Sequence, residues 1–172
     1  MVRSWVLIGM MGSGKSTVGR LLAETSGREF LDTDQAIQYK MGRSISQIFS
    51  VYGESTFRDH ETLALKSLMP GNSVIATGGG VVLRQENWTE MHRLGLIIYL
   101  KSSKENLISR LEASKRKRPL LETEDWKLNF ADILEKRHLL YESADITVTV
   151  DGLEMPEIVN LILQNVGTHH EC

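Results

Sequence analysis

Gly9-Met10-Met11-Gly12-Ser13-Gly14-Lys15-Ser16-Thr17 fits the pattern G-x-x-x-x-G-K-[ST], with Gly9, Gly14, Lys15 and Ser16 at its defined places. The apolar run Trp5-Val6-Leu7-Ile8 precedes it, and the helix-compatible run Thr17-Val18-Gly19-Arg20-Leu21-Leu22-Ala23 follows. Strand, glycine loop and helix N-terminus in that order form a phosphate-binding loop. Glycines let the backbone turn its N–H groups inward, and the helix end adds unsatisfied donors and partial positive charge. Lys15 is placed to reach the β- and γ-phosphates of a nucleotide, and the Ser16 hydroxyl to ligate Mg²⁺.

Outward from that loop, strand-like and helix-like segments alternate, the pattern of a parallel α/β sheet. The expected strands are Trp5–Ile8, Glu29–Leu31, Ser73–Ala76, Leu96–Leu100 and Ile146–Val150. Leu96-Ile97-Ile98-Tyr99-Leu100 is apolar throughout, as a strand covered on both faces should be. Ser44 and Ser103 read as helix N-caps. A closing helix is expected over Met155–Val166, with Gly167 to Cys172 a frayed tail. Between two helical patterns lies Ala113-Ser-Lys-Arg-Lys-Arg-Pro-Leu-Leu-Glu-Thr-Glu-Asp125, basic, proline-containing and long for a connection, as lids are.

Four clusters carry chemistry beyond the loop. Asp32-Thr33-Asp34 ends the second strand, where open α/β sheets gather ligands. Asp32 suits a magnesium shell, and Asp34 suits an acceptor hydroxyl whose proton it takes. The plainer reading of Asp34, a helix cap, stays open beside that role. Arg58 and Glu61 stand three apart on one helical face. Composition favours a surface ion pair; the functional reading has Glu61 holding Arg58 to grip an anion. Thr77-Gly78-Gly79-Gly80 follows the third strand, either as a flexible turn or as a substrate floor with unusual φ/ψ. The lid holds Arg116, Lys117 and Arg118, and Lys136-Arg137 follows. A lid arginine arriving over developing phosphoryl charge is one reading, and a solvated basic loop the other. The five histidines have no metal-ligand spacing, so no zinc site is expected.

The 172 residues suit one domain, spanning 1–172, and a chain of this length buries roughly 70% of its unfolded surface without disulfides. Its single cysteine, Cys172, suits a reducing compartment. A net charge of −2 argues against a nucleic-acid coat or a membrane binder. With no apolar run of about 18 residues and no leader-like N-terminus, a cytoplasmic protein is expected.

As a set, these motifs resemble the shikimate kinase family over nearly the full chain. The resemblance rests on the phosphate loop, Asp32-Thr33-Asp34, Phe57-Arg58 with Glu61, Gly78 to Gly80, Arg118-Pro119-Leu120-Leu121, and Arg137 followed by Tyr141. It implies a three-layer α/β/α P-loop kinase with five parallel strands in order 2-3-1-4-5, a substrate-binding helical region at about 33–61 and a lid at about 112–125. It implies Mg²⁺-dependent transfer of the ATP γ-phosphate to the 3-hydroxyl of shikimate, in aromatic amino acid biosynthesis. By the same resemblance Gly12, Ser13, Gly14, Lys15, Ser16 and Thr17 hold ATP phosphates, and Ser16 and Asp32 serve Mg²⁺. Asp34 meets the acceptor hydroxyl. Arg58, held by Glu61, and Arg137 bind the shikimate carboxylate, and Gly78, Gly79 and Gly80 its ring hydroxyls. Arg118 closes with the lid, with Arg116 its rival for the phosphate contact. Arg110 stacks on adenine with Pro156 near its other face. No nucleic-acid or membrane partner is implied, and a small kinase of this kind works as a monomer.

The nearest rivals are another small-molecule P-loop kinase, gluconate being the best alternative acceptor, and a nucleoside monophosphate kinase. A nucleotide-dependent nucleic-acid binder using Lys115–Arg118 and an inactive scaffold complete the alternatives.

Overall fold

The computed structural model describes residues 3–114 and 124–169. Five strands form one all-parallel sheet in the order β2-β3-β1-β4-β5. They are β1 (Ser4–Ile8), β2 (Glu29–Asp32), β3 (Ser73–Ala76), β4 (Gly95–Lys101) and β5 (Ile146–Thr149). The helices are α1 (Lys15–Ser26), α2 (Thr33–Met41), α3 (Ile45–Ser67), α4 (Gln85–Leu94), α5 (Lys104–Ala113), α6 (Trp126–Tyr141) and α7 (Met155–His169).

Period-two alternation builds two cores from the same strands. Trp5 and Leu7 of β1, Ile98 and Leu100 of β4 and Val148 of β5 pack with Leu22 of α1 and Ile158 and Ile162 of α7. Val6, Ile8, Ile97 and Tyr99 point the other way, onto Met91 of α4, Leu107 of α5 and Phe130 and Tyr141 of α6. This is why β1 and β4 read as continuous apolar runs: both faces are covered. At the sheet edge, β5 alternates buried Ile146 and Val148 with exposed Thr147 and Thr149.

Strand boundaries shift by one residue or less from expectation, chiefly because ladder pairing reaches Asp32, opposite Ala76. At the end of β5 the Val150 N–H still donates to Lys101, although the strand stops at Thr149. Ser44 caps α3 in a capping box with Gln47, and Ser103 caps α5. The expected frayed tail is corrected in part, because Gly167 to His169 continue α7. A third, small cluster of Ile37, Ile48 and Phe57 joins α2 to α3 over the carboxyl ends of the strands. Within α3 the helix breaks at Gly53, where φ is 83° and ψ is 166°.

Candidate active site

The carboxyl ends of β1, β2 and β3 open into a cleft of about 880 Å³. Its floor is the loop between β1 and α1. Gly12 and Gly14 take φ of 87° and 94°, left-handed conformations that glycine adopts without a Cβ clash. The α1 N-terminus begins at Lys15 with no side-chain cap and no acidic residue in its first turn, so its dipole and N–H groups face the cleft uncompensated. The Lys15 ammonium folds back onto the loop, donating to the carbonyls of Gly9 at 2.7 Å and Met10 at 3.0 Å. Gly12, Gly14, Lys15, Ser16 and Thr17 line the cleft, whereas Ser13 is buried behind it.

The Ser16 hydroxyl donates to Asp32 Oδ2 at 2.7 Å. The other oxygen, Asp32 Oδ1, accepts the Gln35 N–H and caps α2. The capping role weighed for Asp34 thus falls to Asp32. Asp34 lies in the first turn of α2 and lines the cleft. A serine hydroxyl and a carboxylate this close form a hard-oxygen pair that fits Mg²⁺, which keeps several waters and takes few protein ligands.

Past Asp34 the acceptor end is built around buried charge. Arg58 Nη1 donates to Glu61 Oε2 at 2.5 Å, and Nη2 to Glu54 Oε1 at 2.7 Å. Arg58 is 7% exposed and Glu61 2%, so the surface ion pair favoured by composition is corrected to a buried one. Burial pushes the Glu61 carboxyl up from its ordinary range; Arg58 opposes this, Asp34 adds to it and Arg137 opposes it. For Arg58, burial opposes the charge, but Glu61 and Glu54 together outweigh it and hold the guanidinium protonated. Arg137, also buried, enters the same cleft from α6. Glu54 escaped the sequence reading, although its i, i+4 spacing to Arg58 was there to find.

Gly78, Gly79 and Gly80 line the wall between these groups and the phosphate loop. None has positive φ, so the expectation of unusual backbone geometry is corrected; space is what demands glycine here. A Cβ on Gly78 would sit 2.8 Å from Asp34 Oδ1, and one on Gly80 would collide with the Arg58 guanidinium.

At the opposite end, Arg110 reaches Ser13, its Nη1 3.5 Å from the carbonyl. Leu153, Glu154, Met155 and Ile158 face it across the cleft. Pro156 is exposed on the first turn of α7 and is not among the residues that line the cleft. The lid residues 115–123, with Arg116 and Arg118, lie outside the described residues.

Residues 11–167 match the family described as shikimate kinase. A shikimate kinase of Thermodesulfovibrio yellowstonii is 42% identical over 164 residues, covering 95% of this chain and 94% of its own. One from Trichormus variabilis is 46% identical over 160 residues, with 92% and 87% covered. Among solved structures, a shikimate kinase from Acinetobacter baumannii in complex with shikimate aligns with a TM-score of 0.92 at 37% identity, covering 98% of this chain and 95% of its own.

Proposed function

The chain belongs to the shikimate kinase family, and on that premise we propose that it transfers the γ-phosphate of ATP to the 3-hydroxyl of shikimate, giving shikimate 3-phosphate and ADP. The observation that carries this reading is the pair of buried guanidiniums, Arg58 and Arg137, at the acceptor end of a cleft whose floor is a phosphate loop. Arg58 is balanced by Glu54 and Glu61, whereas Arg137 is in no ion pair among the described residues and calls for an anionic acceptor; a charge-assisted hydrogen bond contributes roughly 1.5–3 kcal/mol. A neutral polyol loses that contribution.

Lys15 and the loop and α1 amides take the ATP phosphates from Gly12 to Thr17, with Ser13 supporting the loop from behind. Arg110 meets the adenine end, with Leu153 and Met155 opposite it. Arg58, Arg137 and Gly78 to Gly80 fix the acceptor so that its hydroxyl lies by Asp34. The carboxylate need not be a strong base to orient the hydroxyl and take its proton, because the transition state of phosphoryl transfer is loose. Ser16 and Asp32 would hold Mg²⁺, which neutralises phosphate charge when bound. By the family resemblance Arg118, outside the described residues, would supply further positive charge to the transferring group.

We propose that the chain acts as a monomer, as a small kinase of this kind can. Among the described residues no helix is long and apolar enough to cross a membrane.

A coupled ADP-release assay with Mg·ATP tests the reading, offering shikimate, gluconate, quinate and CMP in turn. Turnover with shikimate far above gluconate and CMP is expected. Turnover with gluconate and none with shikimate overturns it.

A further inference from the structure

The glycine wall is a turn with a choice built into it. The Val81 N–H donates to the Gly78 carbonyl at 3.3 Å, and Gly80 has φ −96° and ψ 1°. Those angles belong to the third residue of a type I turn. In such a turn the central peptide, here Gly79–Gly80, directs its carbonyl to one face and its N–H to the other. Flipping that peptide gives a type II turn, which requires positive φ at the third residue. Most residues resist that angle, but glycine accepts it at no steric cost. Gly80 is needed because any Cβ there meets Arg58. The requirement that admits Arg58 therefore leaves the peptide free to flip.

Tyr141 supplies the missing selection. Its hydroxyl donates to the Gly79 carbonyl at 2.5 Å. The ring is fully buried behind the cleft and stacks on Tyr99, with centroids 5.1 Å apart and planes at 19°. Burial pushes the phenol up to about 12, so it remains a neutral donor at any working pH. Arg137, one helical turn earlier on α6, opposes that rise through its charge. With the carbonyl pinned towards Tyr141, the Gly80 N–H faces the opposite way, and Gly80 lines the cleft. Among the described residues no protein acceptor takes that N–H.

We propose that Tyr141 is a positioning residue: its hydroxyl holds the Gly79–Gly80 peptide in the type I arrangement and keeps the Gly80 N–H aimed into the cleft as a donor to the acceptor's hydroxyls. This rests on the reading of that end of the cleft as the shikimate site.

Tyr141→Phe keeps the ring and its stacking and removes only the donor. The KM for shikimate is expected to rise about fivefold, the worth of one neutral hydrogen bond, with the KM for ATP within about twofold of wild type. Tyr99→Phe removes the hydroxyl from the other ring of the stack and leaves both constants unchanged. An unaltered KM for shikimate in Tyr141→Phe overturns the proposal, as does a parallel rise in both constants, the mark of general loosening. Amide exchange on the wild-type protein gives a reading independent of any variant: saturating shikimate slows exchange at Gly80. An unchanged rate there overturns the proposal while leaving the activity intact. Wild-type protein that does not turn over shikimate overturns the function first, and this inference with it.

Discussion

Arg58 and Glu61 form a buried ion pair one helical turn apart, and the carboxylate has only one of its oxygens engaged. Glu61 Oε1 has no hydrogen-bond partner among the described residues, and it lies against the Gly78 backbone at the edge of the cleft. Removing one partner of a buried pair leaves the other uncompensated, and typically costs about 3–5 kcal/mol. Glu61→Gln keeps the shape and one acceptor but loses the charge. We expect it to lose about 1–3 kcal/mol of stability and to raise the KM for shikimate at least about tenfold. Thermal melts and steady-state kinetics check the two parts separately.

Asp34 is expected to act on kcat. Asp34→Asn retains size and removes the proton acceptor, and general-base contributions are typically about 10²–10⁴-fold. The expected result is a fall in kcat of about 10²-fold or more, with the KM for ATP little changed. An Asn variant with kcat near wild type would reassign Asp34 to acceptor positioning alone.

Gly80→Ala tests the claim that space, and not backbone freedom, fixes the glycines. A methyl there must displace the Arg58 guanidinium, and overpacking of this kind costs about 1–3 kcal/mol. Shikimate affinity should fall more than stability. Alanine at exposed Gly167, whose added Cβ meets nothing within 4 Å, should leave kinetics untouched.

Asp151 ties the start of α5 to the end of β5. It accepts from the Ser103 N–H at 2.7 Å, from Asn106 Nδ2 at 2.6 Å and from the Ser102 hydroxyl. Burial would raise its pKa, but these donors outweigh it and lower the carboxyl from 3.8 to about 2. A lowered folded pKa adds stability that is fully present above the unfolded value and lost as pH falls through the folded one. Solvent screening at this partly exposed site brings the contribution to about 1 kcal/mol. Asp151→Asn should therefore be less stable than wild type at neutral pH, with the gap closing between about pH 4 and pH 2. Urea titrations across that range check it.

How far the sequence could be read varied with the reach of each interaction. The phosphate loop was legible because motif, strand and helix adjoin within Trp5–Ala23. The order 2-3-1-4-5 came from the family resemblance, since periodicity identifies strands and not their neighbours. The Ser44 and Ser103 caps were legible because capping is decided within three residues. Arg58–Glu61 was misjudged because spacing shows a shared face but not what covers it; Gly80 and Arg137 come up to the pair from distant parts of the chain. Asp32 and Asp34 were confused as caps because strand pairing to Ala76 sets where β2 ends. The peptide choice at Gly79–Gly80 had no local signal at all, since its arbiter stands 62 residues away at Tyr141.

One side chain imposes a constraint on redesign. Asp32 uses one oxygen to start α2 and the other to meet Ser16, so each replacement is judged twice, once by the helix it caps and once by the hydroxyl it meets. Glutamate or alanine would disturb both at once. Asparagine caps helices about as well as aspartate and keeps its size, so Asp32→Asn preserves the start of α2 while removing the charge. It separates the two duties of Asp32, leaving the cap in place while changing the partner offered to Ser16.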